Sequence, residues 1–161
     1  MIDINEIYKK YKKINSRFRA KYDYSNPDIF NQHIVQVHCE LSELAYETKC
    51  FKYWKDDKPN NAKTIIYEYT DVLTNALCFI NLADIEIEVE KLPKVEEKDI
   101  NKQFIILHSL ISKITMELDK TLLLEILSNL LNLAKLLDYP DEEMDKYIFE
   151  KLNQTFKLYC K

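Results

Sequence analysis

FNQHIVQVHCELSELAYETK, Phe30 to Lys49, decides the fold. Phe30, Ile34, Val37, Leu41 and Leu44 recur at spacings of four and three, the period of an α-helix with one buried stripe. Gln36, Glu40, Glu43 and Glu47 run beside that stripe, with Val35, Cys39 and Tyr46 on their other flank. The stretch thus predicts a helix whose acidic row is hemmed by apolar residues on both sides. SNPDIF just before it supplies the start signal, with Asn26 as cap and Pro27 in the first turn, where its missing N–H does no harm.

The same period extends along nearly the whole chain. It predicts helices over about 4–21, 26–49, 62–82, 100–118, 120–139 and 140–160, the third capped by Asn60 or Asn61. WKDDKPNNAK, with Pro59, is a polar break, and DIEIEVEKLPKVEEKD reads as an extended or mobile connector without a strand partner. The chain has 161 residues and no glycine. Primed hairpin turns, phosphate loops and dinucleotide fingerprints all lean on glycine, which argues against those folds and for a single all-α domain spanning 1–161.

The run TLLLEILSNLLNLAKLLDY (121–139) is apolar nearly all round, as in a helix at a bundle centre or shared with a second subunit. Its Glu125 and Lys135 exclude a membrane span, since each charge at a bilayer centre costs about 2.5–3.5 kcal/mol. A polar, charged 1–21 carries no signal peptide, so a cytoplasmic protein is expected. The net charge of −4 gives no global sign of nucleic-acid binding. Locally, Lys9, Lys10, Lys12, Lys13, Arg17, Arg19 and Lys21 crowd the first helix, a solvated face or a phosphate-binding one. Cys39, Cys50, Cys78 and Cys160 have no CxxC spacing, nor any finger-like spacing with His33, His38 and His108. They read as small core residues or free thiols.

Acid pairs three residues apart occur six times, so position must separate meaningful ones from solvated faces. Glu40–Glu43 is one. Glu68–Asp71, in EYTD, repeats its setting: Ile65, Tyr69, Val72, Ala76 and Phe79 lie on one side, Tyr67 and Cys78 on the other. Lys63, Thr70, Thr74 and Asn81 form the expected solvated face of that helix. Carboxylates turned toward a core are costly unless neutralised. Two antiparallel helices would bring both pairs into one cluster of oxygen ligands, the donor set magnesium prefers. From chemistry alone a magnesium-dependent phosphate-ester or phosphoanhydride hydrolase is favoured over a plain helical bundle.

ELSELAYETKCFKYWK (Glu40–Lys55) followed by EYTDVLTNALCFI (Glu68–Ile80) resembles the dimeric all-α dUTP diphosphatases, of the wider MazG-like superfamily, over about 32–82. The resemblance implies a homodimeric bundle of about six helices that hydrolyses dUTP to dUMP and pyrophosphate with Mg2+, by in-line attack of a water held by the metal. Glu40, Glu43, Glu68 and Asp71 match the family's metal-ligating acids; Glu40 would also orient or deprotonate the water, and Glu47 would support the ligands from behind. Lys52 would face phosphate and Phe51 or Trp54 the nucleoside, against the alternative of a helix-end anchor. Asn15 falls near an amide that reads uracil, whereas the expected glutamine is Tyr11 or Lys12 here. Thr74, with Asn75 adjacent, stands where a histidine is frequent, and EKLNQTFK offers Lys151, Asn153 and Lys157 to phosphate. Two alternatives stay open: a MazG-like pyrophosphatase acting on another or several nucleotides, and a helical interaction protein without turnover. No membrane and no nucleic acid are expected as partners.

Overall fold

A computed structural model describes residues 1–58 and 60–159; Pro59 and Cys160, named above, lie outside the described residues. Six α-helices and no strand are found among the described residues: α1 (Ile4–Lys21), α2 (Pro27–Thr48), α3 (Ala62–Leu82), α4 (Ile100–Ile111), α5 (Lys120–Leu137) and α6 (Asp141–Tyr159). Local signals set their starts. Asp3, Asn26, Asn61, Asp99 and Asp119 each accept a backbone N–H in the first turn they cap, satisfying donors a helix leaves open.

Helix ends show the cost of having no glycine. The left-handed positions that glycine ordinarily fills fall on Lys49 (φ 56°), Asp84 (φ 52°), Leu118 (φ 52°) and Asp138 (φ 59°). Lys49 and Asp138 close α2 and α5 in this way. The fourth helix stops at Ile111, seven residues short of the expected 118. There the Ser112 hydroxyl donates to the His108 carbonyl (2.8 Å), and turns closed by Ile114 N–H and Leu118 N–H lead to the Asp119 cap. A serine bonding back to the preceding turn competes with helix continuation.

Helix α3 is the hub, packed against α1, α2, α5 and α6. Tyr69, Leu73, Leu77 and Phe79 are fully buried on it, and the Tyr69 hydroxyl donates to the Leu130 carbonyl of α5 (2.9 Å). Two sequence expectations fail here. Thr70 is not on a solvated face but buried, bonding to the Ile66 carbonyl, and Thr74 and Asn81 are half-buried; only Lys63 of that set is exposed. A helix covered on four sides has no wide solvated face. Conversely, Val35 and Tyr46 are each 61% exposed and Cys39 is exposed, so the acidic row of α2 meets the core on one flank only.

Helix α5 keeps its apolar girth within one chain. Leu123, Ile126, Leu127, Leu130 and Leu133 are buried, and Leu122, Leu124, Leu131, Leu136 and Leu137 half-buried. They give no argument for a second subunit. Helices α3 and α4 cover it, and the connector is pinned beside it by a bond from Asn132 Nδ2 to the Glu97 carbonyl (2.9 Å). The connector holds one 3-10 turn, Val89–Lys91, and buries Ile85 and Ile87. No helix is long and apolar enough to cross a membrane among the described residues.

Candidate metal and nucleotide site

Where α2 lies against α3, the acidic rows of the two helices meet. One carboxylate oxygen from each of Glu40, Glu68 and Asp71 lies within 4.8 Å of the other two, and all three residues are half-buried. Glu43 stands exposed beside them, close enough for its charge to act on both Glu40 and Glu68. Glu47 falls outside the cluster.

Crowding shows in the electrostatics. Burial first, and then the charges of Asp71, Glu43 and Glu68, push the Glu40 carboxyl up to about 7. The Glu68 carboxyl is pushed up to about 7 by burial, Asp71 and Glu43, against the opposing charge of Lys151. Burial also raises Asp71, and Lys151, its Nζ 3.4 Å from Asp71 Oδ2, pulls it back. One cation therefore serves several carboxylates. Glu68 Oε2 is buried and has no hydrogen-bond partner. A buried carboxylate oxygen without a partner, on a residue of a cluster of hard oxygen donors, fits a small divalent cation such as magnesium.

Two members of the cluster, Glu40 and Asp71, line a cavity of about 330 Å3 between α1, α2, α3 and α6, a size suited to a small organic ligand. Glu40, Asp71 and Lys151 are its charged members; Tyr11, Phe18, Tyr24 and Tyr159 supply ring faces. His33 closes the floor, its Nε2 3.1 Å from the Asn75 carbonyl, so Nε2 carries the proton. Burial lowers its pKa and keeps the ring neutral. Asn75 donates Nδ2 to the Asp71 carbonyl (2.7 Å), and both Asn75 and Thr74 line the cavity.

The remaining candidates separate. Lys151 joins the site, whereas Asn153 accepts a bond from Lys10 in a different groove and Lys157 is exposed. Asn15 is fully buried behind the cavity wall: its Oδ1 accepts from Asn81 Nδ2 (2.6 Å), and its amide nitrogen lies 3.3 Å from the Tyr11 hydroxyl and 3.4 Å from Cys78 Sγ. It therefore holds Tyr11 rather than lining the cavity. Lys52 Nζ sits over the Tyr46 ring (5.4 Å), and Trp54 is 60% exposed, edge-on to Tyr53. Neither residue lines the cavity.

Several lining residues escaped the sequence reading. His33 carried a usable signal, standing seven residues before Glu40 on the same helical face. Phe18, Tyr24 and Tyr159 carried none, because only the packing of α1, the turn that follows it and α6 brings them there. A family model described as dUTPase matches residues 3–157. No curated protein and no solved structure matches the chain.

Proposed function

The chain belongs to the all-α dUTPase family, and on that footing we propose that it cleaves dUTP to dUMP and pyrophosphate with magnesium. The observation that carries this reading is the buried, partnerless Glu68 Oε2 among carboxylates within 4.8 Å of one another. Glu40, Glu68 and Asp71, with Glu43 at the rim, would hold the magnesium. The chemistry it supplies when bound is neutralisation of phosphate charge and acidification of the attacking water.

The chain's own groups do the rest. Glu40 accepts the proton of the water as the α–β anhydride breaks and pyrophosphate leaves. Lys151 gives up its contact with Asp71 to the triphosphate, whose several charged oxygens are stronger partners than one carboxylate. Tyr11, Phe18, Tyr24 and Tyr159 enclose the nucleoside, excluding water from the base.

A second reading, the same chemistry on another pyrimidine nucleotide, is favoured by one observation. The cavity presents the Tyr11 ring where the resemblance leads one to expect a glutamine amide. A panel of deoxynucleoside and nucleoside triphosphates with magnesium, run on wild type, Glu43→Gln and Glu68→Gln, tests both. The expected result is release of pyrophosphate from dUTP at least about tenfold faster than from dCTP, a gap of ~1.4 kcal/mol, with both variants impaired. Equal rates on the two would remove the dUTPase reading. No pyrophosphate from any nucleotide, with no magnesium binding by titration, would remove the hydrolase reading altogether.

A further inference from the structure

The cationic face of α1 takes no part in the site described above. Its seven lysines and arginines and single Glu6 give the helix a net charge of +6. Since the whole chain carries −4, all other residues together carry −10. Lys9, Lys13, Arg17 and Lys21 follow one another at intervals of four, so they form one row, ~18 Å long at 1.5 Å per residue. All four are exposed, and none is in an ion pair among the described residues. Like charges one turn apart repel, so an unneutralised row costs stability unless an anion covers it.

The row borders a groove rather than a convex surface. Lys9, Lys10 and Lys13 of α1 face Asn153 and Phe156 of α6 across it, and Glu6 is its one acid. The Phe156 ring is 41% exposed there. A neighbouring depression continues along Arg17 and Lys21. The apolar side of α1 is spent on the core, with Ile4, Ile7 and Ile14 buried, so the helix cannot turn it to a lipid surface. A cation row beside accessible ring faces is instead the arrangement that follows a phosphodiester backbone and stacks unpaired bases.

We propose that the α1–α6 groove binds single-stranded nucleic acid, with Lys9, Lys13 and Arg17 on successive phosphates and Phe156 against a base. The groove of Lys9, Lys13 and Phe156 shares no lining residue with the nucleotide cavity, and binding there does not depend on what the acidic cluster hydrolyses. Fluorescence anisotropy of a labelled oligothymidylate, followed from about 50 to 200 mM salt, tests it. Three neutralised phosphates give a slope of log affinity against log salt of about −2, at ~0.7 per contact. Lys9→Gln/Lys13→Gln/Arg17→Gln should flatten that slope toward zero, while Phe156→Ala should weaken binding about fivefold or more at every salt with the slope kept. Hydrolysis of dUTP, measured in parallel, should be the same in all of these variants. No binding at 50 mM salt, or equal binding of duplex DNA or inorganic polyphosphate, overturns the proposal. So does salt-sensitive self-association in sedimentation without oligonucleotide binding, which would give the groove to the acidic body of a second copy.

Discussion

Crowding of the acidic cluster makes a prediction that separates a built cation site from an incidental one. Glu40 and Glu68 are each held at about 7 against an ordinary carboxyl value of 4.5. Raised folded-state values mean that the stability tied to these groups is fully present below the unfolded value and lost as pH rises through about 7. A shift of that size on an isolated buried group is ~3 kcal/mol. Both side chains are half in solvent and share one repulsion, so we discount to about 2–3 kcal/mol for the pair. For a chain of this length that is roughly 5–10 °C in Tm. Glu68→Gln keeps the shape and removes one of the charges. Calorimetry in EDTA should find variant and wild type nearly superimposed at pH 5. At pH 8 the variant should melt ~3–5 °C higher. The comparison is a difference because His33 and His108, whose pKa values are lowered, titrate in the opposite sense and cancel. Saturating magnesium should then stabilise wild type at pH 8 by about 3 kcal/mol at a hundredfold excess over Kd, and the variant clearly less. A variant that melts at or below wild type at pH 8 in EDTA would refute the reasoning, as would a wild type indifferent to magnesium.

Four further outcomes follow from named contacts. Glu40→Gln should lower kcat about 10²- to 10⁴-fold, with the melting temperature in EDTA unchanged or raised. Lys151→Met should raise KM for the triphosphate about tenfold or more, the loss of one charged contact, and lift the Asp71 and Glu68 carboxyls further; a KM within twofold of wild type would show that Lys151 serves only Asp71. Tyr69→Phe removes the buried bond to the Leu130 carbonyl and should cost about 1 kcal/mol, seen as a lower denaturant midpoint with unchanged hydrolysis. Asp138→Gly, at φ 59°, should gain about 1 kcal/mol by relieving a left-handed residue that has a side chain, measurable in the same denaturant titration.

Signals that act within one or two turns were legible in the sequence. The bounds of α1 and α3 coincide with the periodicity, and Asn26, Pro27 and Asn61 start their helices where capping chemistry puts them. The two acidic rows were legible for the same reason, since a helical row depends only on spacing. Signals that need a neighbour mislead: Thr70 reads as solvated though α3 is enclosed, and Val35 as part of an apolar flank though it is 61% exposed.

The residue pattern alone therefore determined that this chain is helical, where most helices begin, and which acids share a face, because hydrogen-bond caps and a 3.6-residue period are local. Tertiary structure alone decided that Glu40, Glu68 and Asp71 converge while Glu43 stays at the rim and Glu47 outside. It also set Lys151 against Asp71, 80 positions away, and walled the cavity with rings from α1 and α6. A convergence point depends on how helices cross, and crossing depends on the summed packing of the core rather than on the spacing within any one segment.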